Sequence, residues 1–361
     1  MTDKPRSAQG PGYGPRRRRP RLGPRRESEV DQASARSWQP RAGLETPPRQ
    51  VESMQPDGEP ERRLGPIHPA DDDFSSEPAY RLDLPDSQRL PLVFASPHSG
   101  RHYPARFVAA SRLDPRTLRR SEDCYVEELF AAAPGLGAPL LQALFPRAYV
   151  DVNREPYELD PKMFNAPLPD FVNRHSPRVA AGLGTLARVV GNGQEIYRDQ
   201  LIFAEAATRL RRCYWPYHHC LADLVEQTRR RFGFCVLIDC HSMPSNSVGG
   251  LLRPGVKPLD MVLGDCFGTS CAPEVSDVVQ QGLTRMGYRT LRNKPYAGGF
   301  VTRHYGRPSA GVHVLQIELN RKLYIDEASY QRTASFGRLA DHLAQLIQSL
   351  GQLDLGRLAA E

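Results

Sequence analysis

FCVLIDCHSMPS, Phe234–Ser245, decides how this chain is read. Five apolar residues run directly into Asp239, Cys240, His241 and Ser242. An uninterrupted apolar run of this length suits a strand covered on both faces. Such a strand ends by setting a carboxylate beside an imidazole, where burial makes an unpartnered charge costly.

The same pattern recurs along the chain. PLVFAS (Pro91–Ser96) breaks into PHSG and delivers His98. APLLQALF (Ala138–Phe145) and AYVDVN (Ala148–Asn153) read as two strands around Pro146, followed by Arg154. MVLGD (Met261–Asp265) is a further strand, and VHVLQIEL (Val312–Leu319) carries Glu318 near its end. Helical spacing appears at Ser121–Ala133, with Ser121 and Glu122 as expected caps, and at Gln194–Arg231, interrupted near Pro216. It returns at Val275–Met286 and Tyr330–Leu350. Short apolar strands alternating with helices predict an α/β fold, a single domain with a mixed central sheet flanked by helices, over residues 89–355. In such sheets ligands bind beyond the carboxyl ends of the strands. That edge collects His98, Asn153, Arg154, His241 and Glu318.

The 361 residues are 40% hydrophobic and 25% charged, a globular composition with a polar appendage. Residues 1–88 are rich in Pro, Arg, Gly, Gln and Ser and are expected to be disordered, with too little apolar surface to offset the entropy of ordering. Residues 1–50 hold twelve Lys and Arg against five Asp and Glu, which accounts for the whole net charge of +7. The remainder is balanced, so nucleic acid is expected at most as a weak contact of the basic tail. Seven cysteines without a C-x-x-C pair suit a reducing compartment. No apolar run reaches the roughly 18 residues of a membrane span, and no signal-peptide pattern opens the chain. A cytoplasmic protein with a small-molecule substrate is expected.

Two imidazoles, a carboxylate and one open position form the usual catalytic zinc arrangement. His98 and His241 are the candidate ligands, with Asp123 or the adjacent Glu122 as the third. Glu318 is the candidate proton carrier. Arg147 and Arg154 flank a strand and suit an oxyanion and a substrate carboxylate. Each has a plainer reading. Glu318 could pair with Arg321, the arginines could form ordinary ion pairs, and Asp239 could orient a ligand or only close a turn. Ser242 lacks the G-x-S-x-G setting of a serine hydrolase nucleophile. His102, His218 and His219 read as packing or surface residues.

SPHSGRHYP, RRSEDCYVEELF, FPRAYVDVNREPYELD, IDCHSMPS, LGDCFGTSCAP, NKPYAGGFVTRHYGRP and LQIELNRKLYIDE occur in the order seen in N-formylglutamate amidohydrolases, and from Pro91 to Glu327 the chain resembles that family. The resemblance implies a zinc-carboxypeptidase-like (phosphorylase/hydrolase-like) domain. It would hydrolyse N-formyl-L-glutamate to L-glutamate and formate, a step of histidine degradation. It implies one Zn2+, or another divalent metal, on His98, Asp123 and His241, with Glu318 as base and Arg147 polarising the carbonyl. The H-x-x-E pattern of related enzymes is broken here by Arg101. Asn153 and Arg154 would hold a substrate carboxylate, and Thr302, Arg303 and His304 in the Gly298–Gly299 loop would contact the substrate. The alternatives are an amidase for another N-acyl amino acid or peptide, and a non-catalytic binding protein that keeps the pocket.

Overall fold

The computed structural model describes residue 74 and residues 78–191, 193–248 and 258–353. The expected tail falls largely outside the described residues, as does the expected domain end at residue 355.

β6 (Cys235–Met243) and β9 (Val312–Asn320) run parallel and pair along their whole length, from Cys235 opposite Val312 to Met243 opposite Asn320. All eighteen residues are buried, as expected for a strand pair with helices on both faces. β2 (Leu92–Ser96) adds in parallel beside β6, and β3 (Leu140–Ala143) beside β2. β1 (Tyr80–Asp83) closes that edge antiparallel to β3, so the sheet begins ahead of the expected start at residue 89. On the other side β7 (Met261–Gly264) runs antiparallel to β9, and β8 (Thr290–Arg292) follows β7 in parallel. The seven-stranded order is β1-β3-β2-β6-β9-β7-β8, a mixed sheet. Two small ribbons, β4 (Val189–Val190) with β5 (Gln194–Glu195) and β10 (Ile325–Asp326) with β11 (Gln331–Arg332), lie outside it.

Alternation along the strands sorts core from chemistry. Phe94, Ile238, Cys240, Ile317 and Leu319 point into one core, with Val126 and Leu129, with Val275, Val279 and Leu283 of helix Pro273–Arg285, and with Leu339, Leu343 and Leu346 of helix Phe336–Leu350. The intervening residues Asp239, His241, Gln316 and Glu318 therefore share the opposite face. The long helix Trp215–Phe232 packs against β2 and β6.

Several expected elements differ. Ala148–Asn153 is a turn, not a strand: Tyr149 and Val150 donate to the Pro146 carbonyl and Asp151 N–H donates to Thr185 O at 2.7 Å. The helix expected from Ser121 is a single turn, Val126–Leu129, entered through Tyr125 at φ 62°. Glu122 is extended at φ -73° and ψ 135°, and Asp123 N–H bonds the His98 carbonyl at 2.9 Å instead of joining a helix. The helix expected over Gln194–Arg231 begins only at Phe203, and a π-helical turn, Leu210–Tyr214, precedes Pro216. The last helix starts at Phe336, since Gln331–Arg332 pairs as β11. All seven cysteines are free thiols, and among the described residues no helix is long and apolar enough to cross a membrane.

Phe94 lies on a central strand, 1% exposed, 5.8 Å from Phe130 between ring centroids. Phe94→Ala is expected to cost about 3–5 kcal/mol, read from urea unfolding.

Candidate active site

His241 stands directly opposite Glu318 in the β6–β9 register, so backbone pairing alone brings them together. It is the seventh residue of β6, inside the strand rather than after it. His98 follows β2, and its carbonyl bond to Asp123 N–H carries the acid across to the two imidazoles. The rings of His98 and His241 lie 4.8 Å apart between centroids.

Each histidine has a carboxylate behind it, hydrogen-bonded in the case of His98. His98 Nε2 lies 2.7 Å from Asp151 Oδ1, and His241 Nε2 lies 3.0 Å from Asp239 Oδ1. A ring proton on His98 Nε2 leaves its Nδ1 free to face forward. His241 Nε2 lies 3.0 Å from the Asn153 Nδ2 amide as well, and His241 also points Nδ1 forward. There His241 Nδ1 is 3.1 Å and His98 Nδ1 3.5 Å from the same oxygen, Asp123 Oδ2. The other oxygen, Oδ1, is taken at 3.1 Å by Arg321 Nη2 and at 3.1 Å by Ser242 Oγ. His98 Nδ1 is buried and makes no hydrogen bond. One donor atom from each of His98, Asp123 and His241 lies within 4.8 Å of the others. Two imidazole nitrogens and a carboxylate oxygen converging in a buried place, with carboxylates behind both rings, fit a divalent metal.

The electrostatics agree with that geometry. Burial opposes the charge on Asp123, but the two imidazoles outweigh it and hold its carboxyl well below the usual range. Asp151 is likewise buried yet held well down by Arg147, Arg154 and His98. His241 resists charging through burial, but Asp239 and Asp123 raise it well above an ordinary histidine. The pocket thus attracts one more positive charge between its imidazoles, which a metal ion would supply. Glu318 is pushed up to about 7, first by burial and then by Asp123 and Asp239, against His241 and Arg147.

A cavity of about 540 Å3 opens here, lined among others by His98, Arg147, Arg154, His241 and Glu318. Arg147 Nε bonds Asp151 Oδ2 at 2.9 Å. Asn153 lines the cavity with its amide committed: Oδ1 accepts from Val301 N–H at 2.8 Å, and Nδ2 faces Asp239 and His241. Arg154 donates to the Leu183 and Asn153 carbonyls, with Nη2 3.6 Å from Asp151. Burial, with Arg147 and Arg178 nearby and Asp151 opposing, brings its guanidinium down to about 10.

Arg303 reaches the cavity, whereas Thr302 and His304 are not among its lining residues. Thr302 Oγ1 instead accepts from Gly299 N–H at 3.2 Å, and His304 stacks on Phe300. Glu122 pairs with Arg119 rather than with the imidazoles. Arg321 bonds Asp123, so the plainer Glu318–Arg321 pairing does not form. Ser242 donates to Asp123. Asp151 and Gln316 escaped the sequence reading. Asp151 had a signal in the alternation of VDVN, whereas Gln316, whose Nε2 donates to Glu318 Oε1 at 2.8 Å, lay inside an apolar strand with none.

The chain belongs to the N-formylglutamate amidohydrolase family, whose pattern it matches over residues 90–325. It is 31% identical over 243 residues to the N-formylglutamate deformylase of Pseudomonas aeruginosa, covering 66% of this chain and 84% of that one. The Pseudomonas putida N-formylglutamate deformylase is 28% identical over 242 residues, covering 66% and 83%. The crystal structure of N-formylglutamate amidohydrolase from Ralstonia eutropha JMP134 superposes with a TM-score of 0.71 at 37% identity, covering 76% of this chain and 97% of that one.

Gly299 lets the loop pass against Asn153: an added Cβ would meet the Asn153 side chain at 2.3–2.5 Å. Gly299→Ala is expected to destabilise by about 1–3 kcal/mol, measured by urea denaturation.

Proposed function

We propose that the chain hydrolyses the amide of N-formyl-L-glutamate, or of a closely related N-acyl amino acid, with one divalent metal, zinc foremost. The observation that carries this is the convergence of His98, Asp123 and His241 on one point, with Glu318 opposite His241 in the adjoining strand. Those three residues would hold the ion, which when bound supplies Lewis-acid chemistry, polarising a carbonyl and acidifying water. Manganese, iron or cobalt suit the same ligands.

The remaining steps belong to side chains on the page. Glu318 takes a proton from the attacking water and passes it to the amide nitrogen as the carbon–nitrogen bond breaks, releasing formate and the amino acid. A carboxyl placed at about 7 suits a group that must both accept and return a proton. Gln316 Nε2 holds one Glu318 oxygen and so aims the carboxylate. Arg147, anchored through Nε, turns its outer N–H groups toward the oxygen on which charge develops. Arg154 offers Nη2 to the α-carboxylate, and Asn153 keeps His241 and the Val301 backbone in place. Arg303 adds positive charge at the cavity wall. A small-molecule substrate in the cytoplasm, in histidine breakdown, follows from this reading, and the basic tail has no part in the chemistry.

Purified protein is expected to carry about one equivalent of metal and to release formate from N-formyl-L-glutamate, with chelation abolishing release and zinc restoring it. Bound metal without formate would move the substrate to another N-acyl amide. Glu318→Gln should keep the metal and lose about 10²–10⁴-fold in kcat; an unchanged kcat removes it as base. His241→Ala should lose metal and turnover together. Asp151→Asn, which weakens the support behind His98, should reduce metal affinity about 10–100-fold by competition titration.

A further inference from the structure

We propose that Arg178 anchors the side-chain carboxylate of the substrate and thereby selects an acidic N-acyl amino acid over its neutral amide; the inference rests on the deformylase reading above. Arg178 lines the same cavity as His98, His241 and Glu318. Nothing in the sequence singled it out.

The other cavity arginines are already engaged. Arg147 holds Asp151 and Arg321 holds Asp123. Arg154 is committed to two carbonyls, Arg120 reaches Gln194, and Arg303 donates to the Gly298 carbonyl. Arg178 is exposed to solvent and, among the described residues, its guanidinium makes no hydrogen bond or ion pair. A lone solvated arginine would mean little. This one is held against the site by its backbone. It lies in the helical turn Pro177–Ala180, capped by Ser176 Oγ, which accepts from Val179 N–H at 3.1 Å. Leu183 then ties the turn to the reaction centre: its N–H donates to Arg178 O at 2.8 Å, and its carbonyl accepts from Arg154 Nε at 2.9 Å. One residue thus joins Arg178 to Arg154. The charge of Arg178 is also close enough to help lower the proton affinity of Arg154.

Like charges set side by side at a cavity wall call for an anion between them. With Arg154 facing the α-carboxylate, a second carboxylate on the same substrate meets Arg178. The planar guanidinium can receive it through two parallel hydrogen bonds, which a neutral amide cannot reproduce.

The test compares N-formyl-L-glutamate with N-formyl-L-glutamine on wild-type metal-loaded protein, Arg178→Met and Arg178→Lys. In Arg178→Met, kcat/KM for N-formyl-L-glutamate should fall about 10–100-fold, through KM rather than kcat. The preference over N-formyl-L-glutamine should shrink by a similar factor, and Arg178→Lys should recover part of it. Matching melting temperatures would show that an exposed substitution has left the fold intact. If Arg178→Met keeps the wild-type preference, the inference is overturned while the deformylase reading stands. Equal use of both substrates by the wild type overturns it as well. No formate from either substrate defeats the function itself, and the inference falls with it.

Discussion

The carboxylate of Asp123 is the constraint on which the rest of this site depends. It is 1% exposed, and its two oxygens do different work. One is held by Arg321 and Ser242 from the ends of β9 and β6; the other faces two imidazoles. A buried carboxylate is tolerated only when both oxygens are satisfied by charge or strong donors. Satisfying Asp123 therefore requires the ends of β2, β6 and β9 to lie in register. Slipping β6 by one residue would turn His241 into the apolar core that Ile238 and Cys240 now fill and bring Cys240 to the site.

The same logic repeats outward. Asp151 is paired with Arg147 and bonded by the Asn153 N–H, and it orients His98. Asp239 sits behind His241, with Asn153 Nδ2 3.2 Å from its second oxygen. Asn153 then reaches the Val301 N–H, and Gly299 allows that approach because it has no Cβ. Gln316 closes the circuit: its Oε1 accepts from Gly299 N–H at 2.8 Å while its Nε2 holds Glu318. Since the carbonyl end of that amide is occupied by a donor, its NH2 end must face the acid. A loop from one part of the chain and a strand from another thus set the aim of one carboxylate. Networks of this kind hold geometry only while every member is satisfied.

Much of this was legible before any coordinates. The apolar runs that became β2, β6, β7 and β9 are continuous and short, which is the mark of strands covered on both faces. His98, Asp123, His241 and Glu318 stood out because polar groups interrupt or follow such runs. Less legible were Ala148–Asn153, whose alternation imitates a strand, and Ser121–Ala133, whose spacing imitates a long helix. In both, long-range backbone bonds to Thr185 and His98 override local pattern. Local periodicity reports what a segment would prefer alone, and these two segments are not alone.

The amino-acid sequence by itself determined the α/β class, the association of His98, His241 and Glu318 with the carboxyl-terminal parts of apolar strands, and the family, because hydrophobic period and residue order are properties of the chain. Only the tertiary structure decided that Asp123 rather than Glu122 faces the imidazoles, that Asp151 and Asp239 stand behind them, and that Asn153 supports a wall of the cavity. It also decided that Arg178 comes to the cavity at all. These are distances between residues far apart in sequence, set by sheet register and loop closure, and no local pattern encodes them.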